Sequence, residues 1–321
     1  MRSTPHILVV NGTKVRRPVF ILGAPHSGAE PLARAVKRSP GFHLTTGRHG
    51  VLRVTYAFAR RPAIASERGQ GAARVLRDAY AEAWLVTGRS CAQCTDECRD
   101  LAGLPPRTSE DADDPAGPCV EPGGIVRFGD ASPDLIYSAD VLLDAFPDAQ
   151  LVQVIRDGRD AVADMLDDER CLAWFKPALD NLDTVFPNPF LGVEDHTERN
   201  RWPRAAPAVK CALRWRGSVR LSARLRQQVP EEQLFTVRYE ELVARPRRVT
   251  ADLAGFLDAP ISRNALTGLV RAPGDRGGAG GEAGGGVGSW RERLTPRQAA
   301  QVEKVAGTEL RRLGYRLGSD L

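Results

Sequence analysis

Three short, mainly apolar segments mark the predicted core of the chain. They occupy residues 19–23, 151–155 and 234–238, and each contains β-branched or aromatic side chains. Short continuous apolar runs indicate buried strands, and each of the first two leads into the start of a helix. This alternation predicts an α/β fold with three layers, in which helices flank both faces of a central, mainly parallel sheet.

The last predicted helix has the clearest boundaries. Thr295 is suited to cap its N-terminus, Pro296 occupies the first helical position, and Gln298 completes a capping box. We expect Gly314 to end the helix.

Composition changes at two places along this pattern. Residues 87–124 hold four of the six cysteines, an acidic run and several prolines, which predicts a partly looped insertion. Residues 274–288 contain nine glycines, which is typical of a flexible segment.

Bulk composition indicates a soluble globular protein. Charged residues make up 26% of the chain and hydrophobic ones 42%, and the formal net charge is only +5. This charge gives no indication of nucleic-acid binding, and no apolar run is long enough to span a membrane. We therefore expect a cytoplasmic protein with reduced cysteines, of undetermined oligomeric state.

The loop after the first predicted strand has the features of an anion site. Gly23 and Gly28 flank it, and the helix behind it would direct backbone N–H groups and its positive dipole end at one point. The spacing approaches that of a nucleotide triphosphatase P-loop. Ala29 and Glu30, however, replace the Lys and Ser/Thr that hold the outer phosphates and magnesium. An ordinary tight strand-to-helix turn is the alternative.

A charged cluster, Arg156 to Asp160, follows the second predicted strand. Ligands of open α/β sheets bind at the carboxyl ends of strands, and the planar guanidinium of Arg suits phosphate and sulfate oxygens. The alternative is that these Arg and Asp residues only pair with one another at the start of a helix.

Four segments in this order resemble the bacterial sulfotransferase family, whose enzymes use 3′-phosphoadenosine 5′-phosphosulfate (PAPS). The segments are 23–28, 156–160, 238–242 and 288–290, and the resemblance extends from Pro18 to Tyr315 with a poorly matched middle. It implies a P-loop-like fold in one domain over residues 1–321, with the insertion at 87–124 and a lid at 274–288. It also implies transfer of a sulfuryl group from PAPS to a hydroxyl or amine of an unknown small-molecule or carbohydrate acceptor.

The resemblance also assigns roles in PAPS binding. The first loop would wrap the 5′-phosphosulfate, Arg156 would bind the 3′-phosphate, and Tyr239 would lie near the adenine unless it is a core aromatic. Arg291 would lie at the edge of the lid. The full predicted set is Pro25, His26, Ser27, Gly28, Ala29, Arg156, Asp164, Tyr239 and Arg291.

Two histidines are the predicted catalytic residues. His26 stands where the family has Arg or Lys, and it would hydrogen-bond the transferring sulfonate or the departing phosphate. His49 is the candidate base for the acceptor, with His43 as a second candidate, because an imidazole titrates near neutrality. For each of them a structural or surface histidine is the alternative.

Several departures from the family pattern make the predicted site less favourable for an anion. Asp164 stands where the family has Ser, Glu30 follows the loop, and Ala131 replaces a Lys. Added negative charge and lost positive charge both disfavour a polyanion. They support a second hypothesis, a sulfotransferase fold that has lost PAPS chemistry and binds another ligand or partner.

The cysteines of the insertion form the second chemical feature. Cys91, Cys94 and Cys98 are spaced C-x2-C-x3-C, and Cys119 follows. Four thiolates close a tetrahedral zinc site, which would be structural because no position is open. The first three also share one helical face, so small core residues are an alternative, and a disulfide under oxidising conditions is another.

Overall fold

A five-stranded parallel sheet forms the centre of the fold. The computed structural model describes residues 7–59, 62–86, 94–104, 119–132, 134–173, 175, 191–262 and 286–318. The strands are β1 (Val9–Val10), β2 (Thr13–Lys14), β3 (Val19–Gly23), β4 (Phe42–Thr45), β5 (Arg127–Asp130), β6 (Gln150–Ile155) and β7 (Leu234–Arg238). All three predicted runs are strands of the one parallel sheet, which confirms the predicted fold class.

Helices connect the strands and cover both faces of the sheet. The first seven are α1 (Ala29–Lys37), α2 (His49–Ala59), α3 (Pro62–Trp84), α4 (Asp96–Ala102), α5 (Ala139–Ala145), α6 (Gly158–Asp167) and α7 (Glu169–Ala173). The later ones are α8 (His196–Arg201), α9 (Pro207–Gln228), α10 (Tyr239–Ala244), α11 (Pro246–Leu257), α12 (Trp290–Arg293) and α13 (Pro296–Arg312). The capping box predicted at Thr295 and Gln298 is present at the start of α13.

The strand order places β3 in the middle of the sheet. The order is β4-β5-β3-β6-β7, and the antiparallel β1–β2 pair stands apart from it. Val19 of β3 pairs with Gly129 on one side and with Gln150 on the other. The chain therefore turns from one half of the sheet to the other beside β3, and the carboxyl end of β3 lies at this switch point.

The side chains of β3 alternate between two separate cores. Phe20 and Leu22 pack with α3 and α5, whereas Val19 and Ile21 pack with α1 and α11, and all four are at most 2% exposed. A strand that is buried on both faces needs apolar residues at every position, which explains its continuous run. Trp84 of α3 stacks on Tyr80 and donates its indole N–H to the Gly129 carbonyl at 2.8 Å, which fixes α3 to the sheet.

Two strands of the parallel sheet were not predicted from the sequence. β4 includes His43 and Thr45, and β5 includes Arg127 and Asp130, so neither contains an uninterrupted apolar run. Pairing with apolar neighbours, rather than their own pattern, places them in the sheet.

Parts of two predicted segments lie outside the described residues. Of the insertion at 87–124, the structure describes 94–104, which include α4, and 119–124. Of the proposed lid at 274–288, it describes only 286–288. None of the described helices combines the length and apolar character needed to cross a bilayer.

Candidate functional site

The predicted anion loop is a tight turn at the carboxyl end of β3. His26 and Gly28 have left-handed backbone angles, with φ values of +57° and +88°. Ser27 donates its N–H to the Ala24 carbonyl at 3.1 Å, and α1 begins directly afterwards at Ala29. The loop therefore presents its remaining backbone N–H groups at the start of a helix, as an anion site requires.

Both glycines of the loop are required by close contacts. A Cβ atom at Gly23 would lie 2.2 Å from the Ser27 hydroxyl, and one at Gly28 would lie 2.2 Å from Cδ2 of Tyr239. The Tyr239 ring thus packs directly on the loop, where the resemblance placed it near the nucleotide. Ser27 itself is 2% exposed, and its hydroxyl has no hydrogen-bond partner among the described residues. A ligand oxygen bound in the loop would satisfy it.

Glu30, which follows the loop, pairs with a cation of its own helix. Its carboxylate is exposed and pairs with Arg34, one helical turn along α1, at 2.7 Å. Arg34 also pairs with Asp100 of α4. The negative charge that the sequence placed beside the loop is therefore compensated on the outer surface of α1.

Arg156 joins the second predicted anion element to the loop. Its side chain is 2% exposed, and its Nη1 atom donates to the His26 carbonyl at 2.8 Å. The guanidinium carbon lies 4.6 Å from the centre of the Tyr239 ring. The structure thus brings together the loop, Arg156 and Tyr239, all of which were predicted from segments far apart in the sequence.

Asp164 forms an ion pair with the guanidinium of Arg156. Its Oδ2 accepts from Arg156 Nη1 at 2.6 Å, while its Oδ1 accepts from Arg293 Nη1 of α12. The Asp164 side chain is 2% exposed, so this carboxylate is buried between two arginines. Arg156 therefore pairs with a residue of α6 that lies beyond its own charged cluster.

The other members of the charged cluster have structural contacts. Arg159 pairs with Asp157 and with Glu303, each at 2.8 Å, and lies 4.2 Å from the Trp290 ring centre. Glu240 accepts the Asp157 N–H at 2.8 Å and so ties the start of α10 to the end of β6. The hypothesis of pairing within the cluster holds for Arg159 and Asp157, whereas Arg156 reaches the site.

The segment around Trp290 is fixed to α6 by Asp160. This carboxylate accepts the N–H groups of Gly288 and Trp290 at 2.8 and 2.9 Å. Arg291 is exposed and packs on the Trp290 ring at 4.7 Å, whereas Arg293 reaches Asp164. Sequence reasoning missed Arg293. The signal available was its position three residues after Trp290, on the same side of a helical turn.

The three histidines considered for catalysis have different surroundings. His26 lies in the loop, with Nε2 3.0 Å from Oδ2 of Asp168. His49 is exposed at the first residue of α2. His43 is only 2% exposed within β4, and burial lowers its pKa to about 4.

Comparison with protein-family models identifies the family of this chain. A model described as the sulfotransferase family matches residues 18–168 and 180–263, well over half of the chain. The chain belongs to the sulfotransferase family. The matched ranges contain the anion loop, the charged cluster and Tyr239.

Several solved sulfotransferases are similar to this chain. The sulfotransferase domain of the Synechococcus PCC 7002 olefin synthase is 19% identical, with 95% of this chain and 97% of that one covered and a TM-score of 0.49. The sulfotransferase domain from the curacin biosynthetic pathway is 13% identical, with 94% and 99% covered and a TM-score of 0.46. Mouse sulfotransferase SULT7A1 complexed with PAP is 12% identical, with 95% and 89% covered and a TM-score of 0.42. The search of curated proteins gave no match.

Three of the four predicted zinc ligands lie close together in this sulfotransferase-family protein. Cys94 and Cys98 are buried and the partly buried Cys119 packs against them, while Cys91 lies outside the described residues. Lys37 donates to Cys98 at 3.4 Å, and Arg48 donates to Cys94 at 3.3 Å. The pKa of Cys98 is lowered to about 6, mainly by its hydrogen bond with Cys94 and to a smaller extent by the positive charge of Lys37.

The cluster fits thiolates but does not by itself form a metal site. Among the described residues, the ligand atoms that come within 4.8 Å of one another in a group of three belong to His26, Asp168 and Cys171 instead. No disulfide joins two of the described cysteines. The tetrathiolate zinc site stays a prediction.

Asp130, at the end of β5, provides a test of the buried polar network beside the site. It is fully buried, and it accepts from the Thr45 hydroxyl at 2.5 Å and from the Ser132 N–H at 2.7 Å. Burial raises its pKa from 3.8 to about 6. The folded protein therefore holds this proton more tightly than the unfolded chain does. The resulting stability is complete below about pH 4 and is lost as the pH rises through about 6.

We expect Asp130→Asn to remove this pH dependence. The free energy of unfolding of the variant should exceed that of the wild type increasingly between about pH 4 and pH 7, reaching a difference of about 2–3 kcal/mol. Urea unfolding at several pH values measures it, with the exposed Asp148→Asn as the control. A difference that stays constant with pH would show that Asp130 is not the group involved.

Proposed function

We propose that this protein transfers a sulfuryl group from PAPS to a hydroxyl or amine of a small-molecule or carbohydrate acceptor. The observation that best supports this is the hydrogen bond between Arg156 and the His26 carbonyl. It joins two anion-binding elements of different kinds, a loop at a helix N-terminus and a buried guanidinium. A nucleotide with anionic groups on both sides of its ribose requires two such elements.

The proposed donor contacts follow from the positions of these residues. The N–H groups of residues 26–29 and the Ser27 hydroxyl would hold the 5′-phosphosulfate. Arg156 would bind the 3′-phosphate, and Tyr239, half-buried beside it, would contact the adenine. We also propose that the segment 274–288 closes over the donor. Its described end is fixed to Asp160.

The chemistry needs positioning and charge stabilisation more than covalent catalysis. The acceptor oxygen or nitrogen would attack sulfur in line, and the bond from sulfur to the bridging phosphate oxygen would break as the new bond forms. The loop N–H groups and His26 would stabilise charge on the sulfonate and the departing phosphate. The acceptor proton would pass to a base, for which His49 is the proposed residue.

One observation favours the second hypothesis, a sulfotransferase fold without PAPS chemistry. Arg156 and Arg293 are already paired with the buried carboxylate of Asp164. A 3′-phosphate would have to displace it, and two anions at one guanidinium repel each other. The two hypotheses therefore differ in whether the wild-type chain binds the nucleotide at all.

Calorimetric titration of the chain with 3′-phosphoadenosine 5′-phosphate (PAP) separates the two hypotheses. We expect saturable binding to the wild type, followed by PAP release from PAPS when a panel of hydroxyl and amine acceptors is supplied. AMP, which lacks the 3′-phosphate, is the matched control and should bind more weakly. If neither the wild type nor Asp164→Ser binds PAP, the fold has lost PAPS chemistry.

A further inference from the structure

Three metal-ligating side chains of different kinds lie together beside the anion loop. Nε2 of His26, a carboxylate oxygen of Asp168 and Sγ of Cys171 all lie within 4.8 Å of one another. We propose that these three residues bind a zinc ion. The inference concerns metal binding and does not require sulfuryl transfer, although it uses His26, to which the proposed function gives another role.

The Asp168 carboxylate is oriented from outside the cluster. Its Oδ1 accepts the N–H of Arg170 at 2.8 Å and lies 3.6 Å from that residue's Nε atom. The other oxygen, Oδ2, faces His26 at 3.0 Å. Outer contacts of this kind orient metal ligands in known sites, and here they leave one oxygen for an ion.

Cys171 is placed on the same side of the helix as Asp168. The two residues are three positions apart at the start of α7, a spacing that brings side chains together on one face. The Cys171 thiol is 8% exposed and hydrogen-bonds to the Asp168 carboxylate. Its sulfur is therefore directed toward the same point as the carboxylate oxygen.

His26 is fixed by its backbone. Its φ of +57° is in the left-handed region, and its carbonyl oxygen accepts the Arg156 hydrogen bond at 2.8 Å. The side chain is 15% exposed, so one side of the imidazole remains accessible. All three ligands are thus positioned by contacts that do not involve an ion, which is how a preformed metal site is built.

The chemistry of the three groups favours zinc. Imidazole, carboxylate and thiolate are its usual protein ligands, and one carboxylate with one thiolate balances its two positive charges in a buried setting. Three protein ligands leave a fourth position, as in catalytic and not structural zinc sites. Loop residues 24–28 contain no Lys or Arg, so the ion would place positive charge beside a loop that lacks it.

Cobalt(II) is a suitable probe, because thiolate ligation produces a charge-transfer absorption band. We expect the wild type, cleared of metal, to show this band on titration with Co²⁺ and to lose it on addition of Zn²⁺. Cys171→Ser should lose the part of the band due to this site. Cys211→Ser is the matched control, since Cys211 is a buried cysteine of α9 outside the cluster, and it should retain the full wild-type band.

His26→Gln provides an independent test that leaves the thiol intact. It should weaken Co²⁺ binding at this site by about tenfold or more, with an unchanged thermal unfolding midpoint in the absence of metal. The thiols at Cys94, Cys98 and Cys119 are present in all of these proteins, so their contribution cancels in the comparison. Equal cobalt spectra for Cys171→Ser and Cys211→Ser, or no cobalt bound by the wild type, would overturn the proposal.

Discussion

Replacement of Arg156 by alanine is expected to reduce PAP affinity by at least about 30-fold. The guanidinium is buried, donates to the His26 carbonyl and lies against Tyr239. Loss of one partner of a buried charged pair costs about 2–5 kcal/mol, and here the loop would also lose the contact that fixes it. Calorimetric titration with PAP measures the change.

The matched control for this variant is Arg159→Ala. Arg159 belongs to the same charged cluster and is also buried in ion pairs, but its partners are Asp157 and Glu303. We expect it to lower the free energy of unfolding while PAP binding changes by less than about threefold. Equal losses of affinity in the two variants would mean that Arg156 acts through stability and does not bind the nucleotide.

Replacement of Asp164 by serine is expected to have the opposite effect on PAP binding. The change removes the buried carboxylate between Arg156 and Arg293 and leaves both guanidinium groups to the 3′-phosphate. At an effective dielectric of about 20 one close charge is worth a few kcal/mol, so affinity should rise by about tenfold or more.

The same variant should be less stable without ligand. Removal of one partner from a buried ion pair typically costs about 3–5 kcal/mol, because the remaining charge is left uncompensated. Added PAP should restore the unfolding temperature to a greater extent than it does in the wild type. Asp167→Ser, which removes the exposed partner of Arg293, is the control and should change neither quantity much. Unchanged PAP affinity in Asp164→Ser would show that the carboxylate does not occupy the phosphate position.

The parts of the fold that could be predicted are those with a purely local signal. The runs at 19–23 and 151–155 are apolar at nearly every position because both faces of the sheet are covered. The capping box at Thr295 depends on residues three apart. By contrast, β4 and β5 are mixed polar and apolar, and only pairing with distant strands makes them part of the sheet.

The residues of the candidate site that belong to sequence motifs could be predicted. Those that join the site only through long-range contacts could not. The loop and Arg156 came from motifs that resemble those of a family, and they lie together as expected. The contacts of Arg293 with Asp164 and of His26 with Asp168 join residues far apart in the chain. No spacing rule links such pairs, so the sequence pointed to Arg291 and left the partner of His26 unassigned.

The central position of β3 has a consequence for how the protein is made. Both neighbours of this strand come more than a hundred residues later, since Val19 pairs with Gly129 and Gln150. During synthesis β3 has no strand partner until residue 130 has emerged from the ribosome, and its second partner is complete only at residue 155. Such non-local pairing is intrinsically slow. A fragment that ends before β6 would expose an unpaired apolar edge, and we expect it to aggregate rather than to form a smaller folded unit.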